Sequence, residues 1–406
     1  MTNGFVPANM PGSQTMAEPL IKCGFDRGVM EMIFTPAESG GYVPAVGDLN
    51  RVRSFSLSWW KPESFYYHSN MLVSAWYGMQ YTNFRDRFQI PRENFTFFGD
   101  SGGFQIATQK VKIPTLKIQR WQEKHCDIGF TKDYPTYDVD KTDNITYRKH
   151  QDKTIEEARY FNKHRQRYDD KFKLYGVIFG RDINDFKYFA NAYEDLEFDG
   201  IGVGSVADRG ANPTEIAEVI LMAIDAFGLK KNLHLFGRSG NTFMPVVAYI
   251  RKKYGIEGLT YDSSSYSRGS SDREYYSPVN LQYKWTFNQK RETKIQSLPC
   301  KCPVCSNVRN SEELCKDGSV PGALISLHNL YWYLHYDKMF NTLVDDDSVF
   351  RGYCETMYGL EGDVVIALDY IDYCLDKGEF ITLNYYLTEG RFEAKDENHI
   401  RGDSIW

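Results

Sequence analysis

The sequence predicts an α/β fold in which eight parallel strands, each followed by a helix, close into a (β/α)8 TIM barrel. Three observations favour this class: a β-α-β-α-β run in the middle of the chain, four further strand-like segments before it, and polar residues directly after several strands. A chain of 406 residues that is 42% hydrophobic can bury such a core. A doubly wound open sheet is the alternative architecture.

The middle of the chain alternates between short apolar segments and amphipathic ones. The strand-like segments are LYGVIFG (174–180), DGIGVGS (199–205), NLHLFG (232–237) and GLTYD (258–262). Apolar residues at helical spacing lie between them, and Asn212-Pro213 and Gly228 mark the start and the end of the second helix. Strands that alternate with helices in this way predict a parallel sheet.

Four weaker candidates precede these strands. They are GYVPAV (41–46), SFYYH (64–68), NFTFF (94–98) and CDIGF (126–130). Counted with the four central strands, they give the number that a closed barrel of this kind requires.

Polar residues or glycines follow four of the predicted strands. Asp100 follows the third strand, Asp133 the fourth, Gly204 and Ser205 the sixth, and Asp262 the eighth. Because catalytic groups of such barrels stand at the carboxyl ends of the strands, these residues are expected to face one pocket. Each aspartate, taken alone, could instead cap the helix that follows it.

The charge of the chain is unevenly distributed. The net charge is −6, from 48 basic and 54 acidic residues; residues 341–406 hold 15 of the acids and 5 of the bases, which leaves 43 basic and 39 acidic residues before them. Residues 281–310 are basic, which indicates contacts with nucleic-acid phosphates, although a solvated charged surface would have the same composition. The candidate phosphate contacts in this segment are Lys284, Lys290, Arg291 and Lys294.

Three cysteines lie close together at Cys300, Cys302 and Cys305. Eight cysteines are too few for a disulfide scaffold in a chain of this length, so the cluster indicates metal binding. Three thiolates and one further ligand would complete a closed, structural Zn²⁺ site. The candidates for the fourth ligand are His328, Cys315 and His335.

The chain shows no sign of a membrane or secretory segment. No run approaches the roughly 18 apolar residues of a membrane span, and the N-terminal residues lack the charged-then-apolar order of a signal peptide. We therefore expect an intracellular protein, cytoplasmic in a bacterium or in a phage-infected cell, with no membrane partner.

Four sequence blocks resemble a known family. They are DSGGFQ (100–105), FDGIGVGS (198–205), TYDSSS (260–265), and CKCPVC followed by LHNLYWYL within 300–334. Together they resemble the tRNA-guanine transglycosylase (queuine tRNA-ribosyltransferase) superfamily, whose members exchange guanine for a 7-deazaguanine in tRNA or, in one branch, in DNA. The resemblance implies a TIM barrel with an inserted structural zinc-binding subdomain and one Zn²⁺ per chain.

The resemblance also implies roles for the strand-end residues. Asp262 would be the nucleophile that attacks C1′ of the sugar, and Asp100 would be the general acid and base, by way of a covalent glycosyl-enzyme. Asp133 would accept hydrogen bonds from the guanine edge, with Asp138 and Asp140 as nearby alternatives.

The remaining implied roles complete the pocket and the metal site. Phe104 would stack on the base, Gly204 and Ser205 would donate backbone hydrogen bonds to it, and Ser101, Gly103 and Asn70 would line the pocket. His328, in the motif HNL, would be the fourth zinc ligand.

The sequence departs from the tRNA enzymes in ways that favour the DNA branch. Phe179 stands where they carry a glutamine, and Ser205 replaces the second glycine of a base-contacting turn. The residues after Asp262 are the Ser-rich SSSYSRGSSDR, in which Arg268 is a candidate nucleic-acid contact, in place of their loop that reads nucleotides beside the target. The alternatives to a DNA-modifying enzyme are a transglycosylase that acts on tRNA and a non-catalytic nucleic-acid-binding subunit.

The expected partners follow from this interpretation. They are DNA or tRNA, a 7-deazaguanine base such as preQ0, and a second copy of the chain or other proteins. We expect a catalytic barrel over 1–295, a zinc-binding subdomain over 296–340 and an acidic C-terminal segment over 341–406 that packs on the barrel.

Overall fold

The computed structural model describes most of the central and C-terminal parts of the chain. The described residues are 5–9, 42–43, 55–56, 59–62, 67–136, 139–166, 171–206, 212–228, 232–271, 273–278, 284–286, 298, 300, 302–306, 308, 314 and 319–391.

Twelve strands lie within these residues. They are β1 Phe5–Asn9, β2 Tyr42–Val43, β3 Phe55–Ser56, β4 Asn70–Ser74, β5 Thr96–Asp100, β6 Ile128–Phe130, β7 Lys173–Ile178, β8 Gly200–Val203, β9 Asn232–Leu235, β10 Leu259–Ser263, β11 Glu274–Tyr276 and β12 Lys284–Thr286. Strands β1 and β4 to β10 form one closed barrel, in which every pairing is parallel and β1 closes the ring between β10 and β4. The predicted eight-stranded barrel is therefore confirmed.

The first two barrel strands differ from the sequence prediction. The segment 41–46 contributes β2, which pairs antiparallel with β3 outside the barrel. The first barrel strand is instead β1, where Pro7 interrupts the apolar pattern that marks a strand. The second predicted strand, 64–68, lies partly outside the described residues, and β4 begins after it at Asn70, in a five-residue segment that is buried throughout.

The helices alternate with the barrel strands and continue beyond them. They are α1 Ala75–Gly78, α2 Phe84–Arg87, α3 Gly103–Gln109, α4 Thr115–His125, α5 Asn144–His164, α6 Ile183–Ala192, α7 Pro213–Phe227, α8 Phe243–Tyr254, α9 Ser265–Ser271, α10 Ser319–Leu343, α11 Asp347–Tyr358, α12 Asp363–Lys377 and α13 Leu383–Tyr385, which continues as a π-helical turn, Tyr386–Gly390. The predicted boundaries of α7 are confirmed, because Asn212 accepts from the Thr214 amide and the helix ends at Gly228. None of the helices in the described ranges combines the length and the hydrophobicity needed to cross a membrane.

The alternation of side chains along each strand decides which residues enter the barrel. On β5, Phe97 points outward against Trp121, whereas Phe98 packs inside against Phe130. On β10, the Tyr261 hydroxyl donates outward to Asp337 Oδ1 (2.6 Å). Since successive side chains of a strand face opposite sides, Asp100 and Asp262 both face the interior at its carboxyl end.

The acidic C-terminal helices dock on the outer surface of the barrel. Helix α12 packs against α7 and α8. The Tyr249 hydroxyl of α8 donates to both oxygens of Asp372 (3.0 and 2.8 Å), and Lys252 and Lys253 pair with Asp345 and Asp347 (2.7 and 3.1 Å). Part of the C-terminal acidity thus neutralises the basic last turn of α8, where cations are also favoured by the helix dipole.

Candidate active site

Asp100 ends strand β5 and is held by the turn that follows it. The Gly102 amide donates to Asp100 Oδ2 (3.0 Å). Gly102 has φ of 88°, in the left-handed region that glycine adopts without steric cost, and α3 begins directly after it. The first glycine of DSGGFQ therefore lets the chain fold back so that its amide reaches the carboxylate.

Asp133 enters the same pocket from the segment after β6. The Ser101 hydroxyl donates to Asp133 Oδ1 (3.0 Å). A Cβ atom at Gly103 would lie 2.2 Å from that oxygen, so only glycine leaves room for the carboxylate. Of the two alternatives, Asp140 lies in an exposed turn, where it accepts from the Thr142 amide (2.8 Å), and Asp138 lies outside the described residues.

Asp262 lies on β10 and is 6% exposed. Its Oδ1 accepts from the Gly237 amide (2.9 Å) and lies 3.3 Å from His234 Nε2. The other ring nitrogen, Nδ1, lies 2.9 Å from Thr260 Oγ1. Strands β9 and β10 therefore fix the carboxylate jointly from inside the barrel.

The three carboxylates share one electrostatic environment. Burial, followed by repulsion from Asp133 and from Asp262, raises the pKa of Asp100 to about 7. Burial also raises the pKa of Asp133 to about 6, against the opposing effect of the hydrogen bond from Ser101. Asp100 can therefore hold or release a proton near neutral pH, which is what a general acid and base requires.

Aromatic rings form the floor of the pocket. The His234 ring lies 5.3 Å from the ring of Phe98, 4.9 Å from Phe130 and 4.9 Å from Phe236, measured between centroids. An apolar floor lowers the local dielectric and strengthens the interactions among the charged groups above it.

Two residues after β8 hold the neighbouring loop. The Gly204 amide donates to the Ile178 carbonyl (2.8 Å). Because this N–H group is already hydrogen-bonded in this conformation, it does not serve as the donor to the base that the resemblance implied. The Ser205 hydroxyl accepts from the Gly180 amide (2.6 Å). Phe179, in the same loop, packs its ring against Tyr147 and Phe189.

The prediction that Asn70 lines the pocket is wrong. In the barrel register Asn70 is opposite Thr96, at the amino end of β4, whereas Ser74 is opposite Asp100. Four residues of strand separate Asn70 from the pocket, about 13 Å at the usual rise per residue. Ser74 occupies the pocket end, where its hydroxyl donates to Gln105 Oε1 (3.0 Å).

Several predicted contacts fall where the structure gives no side-chain position. Phe104 lies in α3 and Arg268 in α9, but only their backbones are described. Lys290, Arg291 and Lys294 lie outside the described residues. Lys284 is described: it pairs with Glu274 Oε2 (2.9 Å) across the hairpin of β11 and β12 and lies over the Tyr276 ring.

The predicted metal ligands converge. The ligand atoms of Cys300, Cys302, Cys305 and His328 are buried and lie within 4.8 Å of one another. The three sulfurs lie 3.5, 3.4 and 3.3 Å from His328 Nδ1, close to the ~3.5 Å that tetrahedral Zn–S and Zn–N bonds would give. This donor set fits one structural Zn²⁺, with His328 as the fourth ligand.

Contacts around the metal ligands connect them to the hairpin and to α9. His328 Nε2 lies 2.8 Å from the Tyr276 carbonyl, which leaves Nδ1 for the metal. The neighbouring Asn329 accepts from the Tyr276 amide (3.0 Å) and donates to the carbonyls of Glu274 (2.9 Å) and Tyr266 (3.2 Å). Helix α10 thus holds the helix that follows Asp262 in the chain.

Sequence reasoning missed His234 and Gly237. A single histidine within the apolar segment NLHLFG is typical of a core position, and its partner Asp262 is 28 residues away. The period-2 alternation of this strand was the available signal, since it places His234 on the same face as Phe236, toward the barrel interior.

The chain is similar to proteins named tRNA-guanine(15) transglycosylase. It is 26% identical over 237 residues to that of Methanococcus aeolicus, covering 57% of this chain and 34% of the relative. The matches from Pyrococcus abyssi and Methanosarcina mazei are 25% and 27% identical and cover 37% and 44% of those proteins. The chain therefore spans less than half the length of these curated relatives. No family model matches it.

We predict that Cys302→Ala lowers zinc content and destabilises the protein, because three ligands bind the ion less tightly and the binding energy of a structural zinc is folding energy. Metal analysis and thermal unfolding measure both effects. Cys374→Ala, at a buried cysteine outside the cluster, is the matched control and should keep one zinc per chain. A Cys302→Ala protein with undiminished zinc would contradict the ligand assignment.

Proposed function

Sequence similarity relates this chain to the tRNA-guanine transglycosylase superfamily, and we propose that it exchanges guanine in a nucleic acid for another base, through a covalent glycosyl-enzyme. The observation that carries this proposal is the arrangement of Asp100, Asp133 and Asp262 at the carboxyl end of one barrel, where burial, together with the charges of the other two carboxylates, raises the pKa of Asp100 to about 7. Such a shift is typical of a catalytic acid.

Asp262 and Asp100 have different roles in the proposed reaction. Asp262 attacks C1′ of the target nucleotide, the C1′–N9 bond breaks, and the departing guanine takes the proton of Asp100. The incoming base then gives its N9 proton to Asp100 and attacks C1′, which releases Asp262. The two half-reactions mirror each other, so one proton carrier with a pKa near neutrality serves both.

Asp133 is the proposed base-recognition group. An ionised carboxylate accepts two hydrogen bonds and suits the N1–H and 2-amino donors shared by guanine and 7-deazaguanines. Gly103 provides the space for this carboxylate, and Ser101 orients it. Phe104 is proposed to stack on the base, and the Ser205 amide to donate to its carbonyl.

We further propose that the substrate polymer is DNA and the incoming base a 7-deazaguanine. The segment after Asp262 forms α9, a short Ser-rich helix with Arg268 as its one basic residue. This differs from the nucleotide-reading loop that the resemblance implies for tRNA enzymes. The names of the relatives favour tRNA instead, which is the alternative. A zinc-anchored basic segment with Lys284, Lys290, Arg291 and Lys294 would contact phosphates of either polymer.

The proposed organisation places catalysis and binding in separate parts of the chain. A barrel over 1–295 would hold the reacting groups, and a zinc-binding subdomain over 296–340 would hold the segment after the nucleophile. The acidic segment over 341–406 would act as a cover for the outside of the barrel, as the ion pairs of Lys252 and Lys253 suggest.

The rate of guanine release in the first half-reaction should have a bell-shaped pH dependence. Asp100 must be protonated, so the rate should fall as pH rises above about 7. Asp133 must be ionised to accept from guanine, so the rate should also fall as pH drops below about 6. Single-turnover release of labelled guanine measures this profile.

Asp100→Asn should lower the rate of guanine release by ~10²–10⁴ and remove the fall in rate at alkaline pH. If the alkaline fall is unchanged in that variant, the proposed role of Asp100 is contradicted.

The polymer is tested by incorporation of labelled guanine into single-stranded DNA, duplex DNA and tRNA under the same conditions. We expect exchange into DNA, fastest in single strands, because extruding a base from a duplex costs a few kcal/mol. Exchange into tRNA alone would contradict the DNA proposal and leave the tRNA alternative. Exchange into none of the three would contradict the guanine-exchange proposal itself.

A further inference from the structure

We infer that His234 is a positioning residue for the nucleophile, and that together with the Gly237 amide it binds Oδ1 of Asp262 so that Oδ2 is the oxygen that attacks the sugar. This inference rests on the proposed base exchange. His234 is fully buried and is not among the site residues that the sequence predicted. The inference gives it a role in that reaction.

The two oxygens of Asp262 have different surroundings. Oδ1 accepts from the Gly237 amide (2.9 Å) and faces His234 Nε2 (3.3 Å). Among the described residues, Oδ2 has no hydrogen-bond partner. A carboxylate fixed through one oxygen presents the other in a defined direction, and positioning of a reacting atom in this way contributes strongly to rate.

The surroundings of His234 determine where its proton lies. An ionised carboxylate only accepts, so Nε2 must carry the hydrogen that it donates to Asp262. Nδ1 faces the Thr260 hydroxyl (2.9 Å), which can donate or accept and therefore fits either the neutral ring or its cation. Thr260 also fixes the ring plane, and the rings of Phe98, Phe130 and Phe236 enclose it.

The donors on Oδ1 affect the two half-reactions differently. In the first, the Oδ2–C1′ bond forms as the C1′–N9 bond breaks, and Oδ1 becomes the carbonyl oxygen of an uncharged ester. In the second, the Oδ2–C1′ bond breaks and its electron pair returns to the carboxylate, while the N9 of the incoming base bonds to C1′. Hydrogen bonds to a charged acceptor are stronger than those to a neutral one. Loss of the His234 donor should therefore slow breakdown of the ester more than its formation.

The test compares His234→Phe, which keeps a ring but loses the donor, with His234→Gln, which can place an amide N–H near the position of Nε2. We expect His234→Phe to lower exchange by about 10²-fold, as for loss of one donor to a reacting oxyanion, and to raise the fraction of protein trapped as the covalent adduct. His234→Gln should recover most of the exchange. Thermal unfolding and nucleic-acid binding of both variants serve as controls for folding.

Three results would overturn the inference. One is wild-type exchange in His234→Phe. Another is equal loss in both variants with an unchanged adduct fraction, which would make His234 a packing residue only. The third comes from ¹⁵N NMR of the resting protein: we expect a protonated Nε2 whose signal changes in Asp262→Asn, and an unprotonated Nε2 would contradict the contact. The NMR result needs no turnover, so failure of the proposed base exchange, seen as no adduct in the wild type, is distinguished from failure of the contact.

Discussion

The burial of three carboxylates at the carboxyl end of one barrel is the constraint around which this site is built. Removing an ionised carboxylate from water costs on the order of several kcal/mol unless hydrogen bonds replace the lost solvation. Each acid has such a donor: the Gly102 amide for Asp100, the Ser101 hydroxyl for Asp133, and the Gly237 amide for Asp262. Burial, together with repulsion from Asp133 and Asp262, raises the pKa of Asp100 to about 7, which suits this residue to carry the proton.

The site residues that could be predicted from sequence are those whose position follows from the local pattern of apolar and polar residues. Asp100 and Asp262 follow apolar runs, and strand ends in a parallel barrel converge on one face, so their meeting was predictable. Strand β1 was missed because Pro7 breaks its pattern. Asn70 was misplaced because the strand was predicted over 64–68, which put Asn70 after its end, whereas β4 begins at Asn70. The alternation of β9 could place His234 inside the barrel, but its contact with Asp262 depends on a register that only the folded barrel sets.

A chain of side-chain contacts connects the zinc ligands with α9, the helix that follows Asp262. The ring of Tyr275 stacks on His328, 3.6 Å between centroids, and its hydroxyl lies 3.0 Å from Cys305 Sγ. Asn329 binds the Tyr266 carbonyl in α9, a few residues beyond Asp262. A structural Zn²⁺ in this cluster would therefore stabilise α9, the helix that follows Asp262 in the chain.

The proposed reaction requires a covalent bond between Asp262 and the sugar, and peptide mass spectrometry can locate that bond. The protein is incubated with single-stranded DNA and, in parallel, with tRNA, then quenched with acid, digested and analysed by peptide mass spectrometry. We expect a sugar-linked peptide modified at Asp262 with at least one polymer, and no adduct in Asp262→Asn. An adduct on Asp133 or another residue, or base exchange that persists in Asp262→Asn, would contradict it.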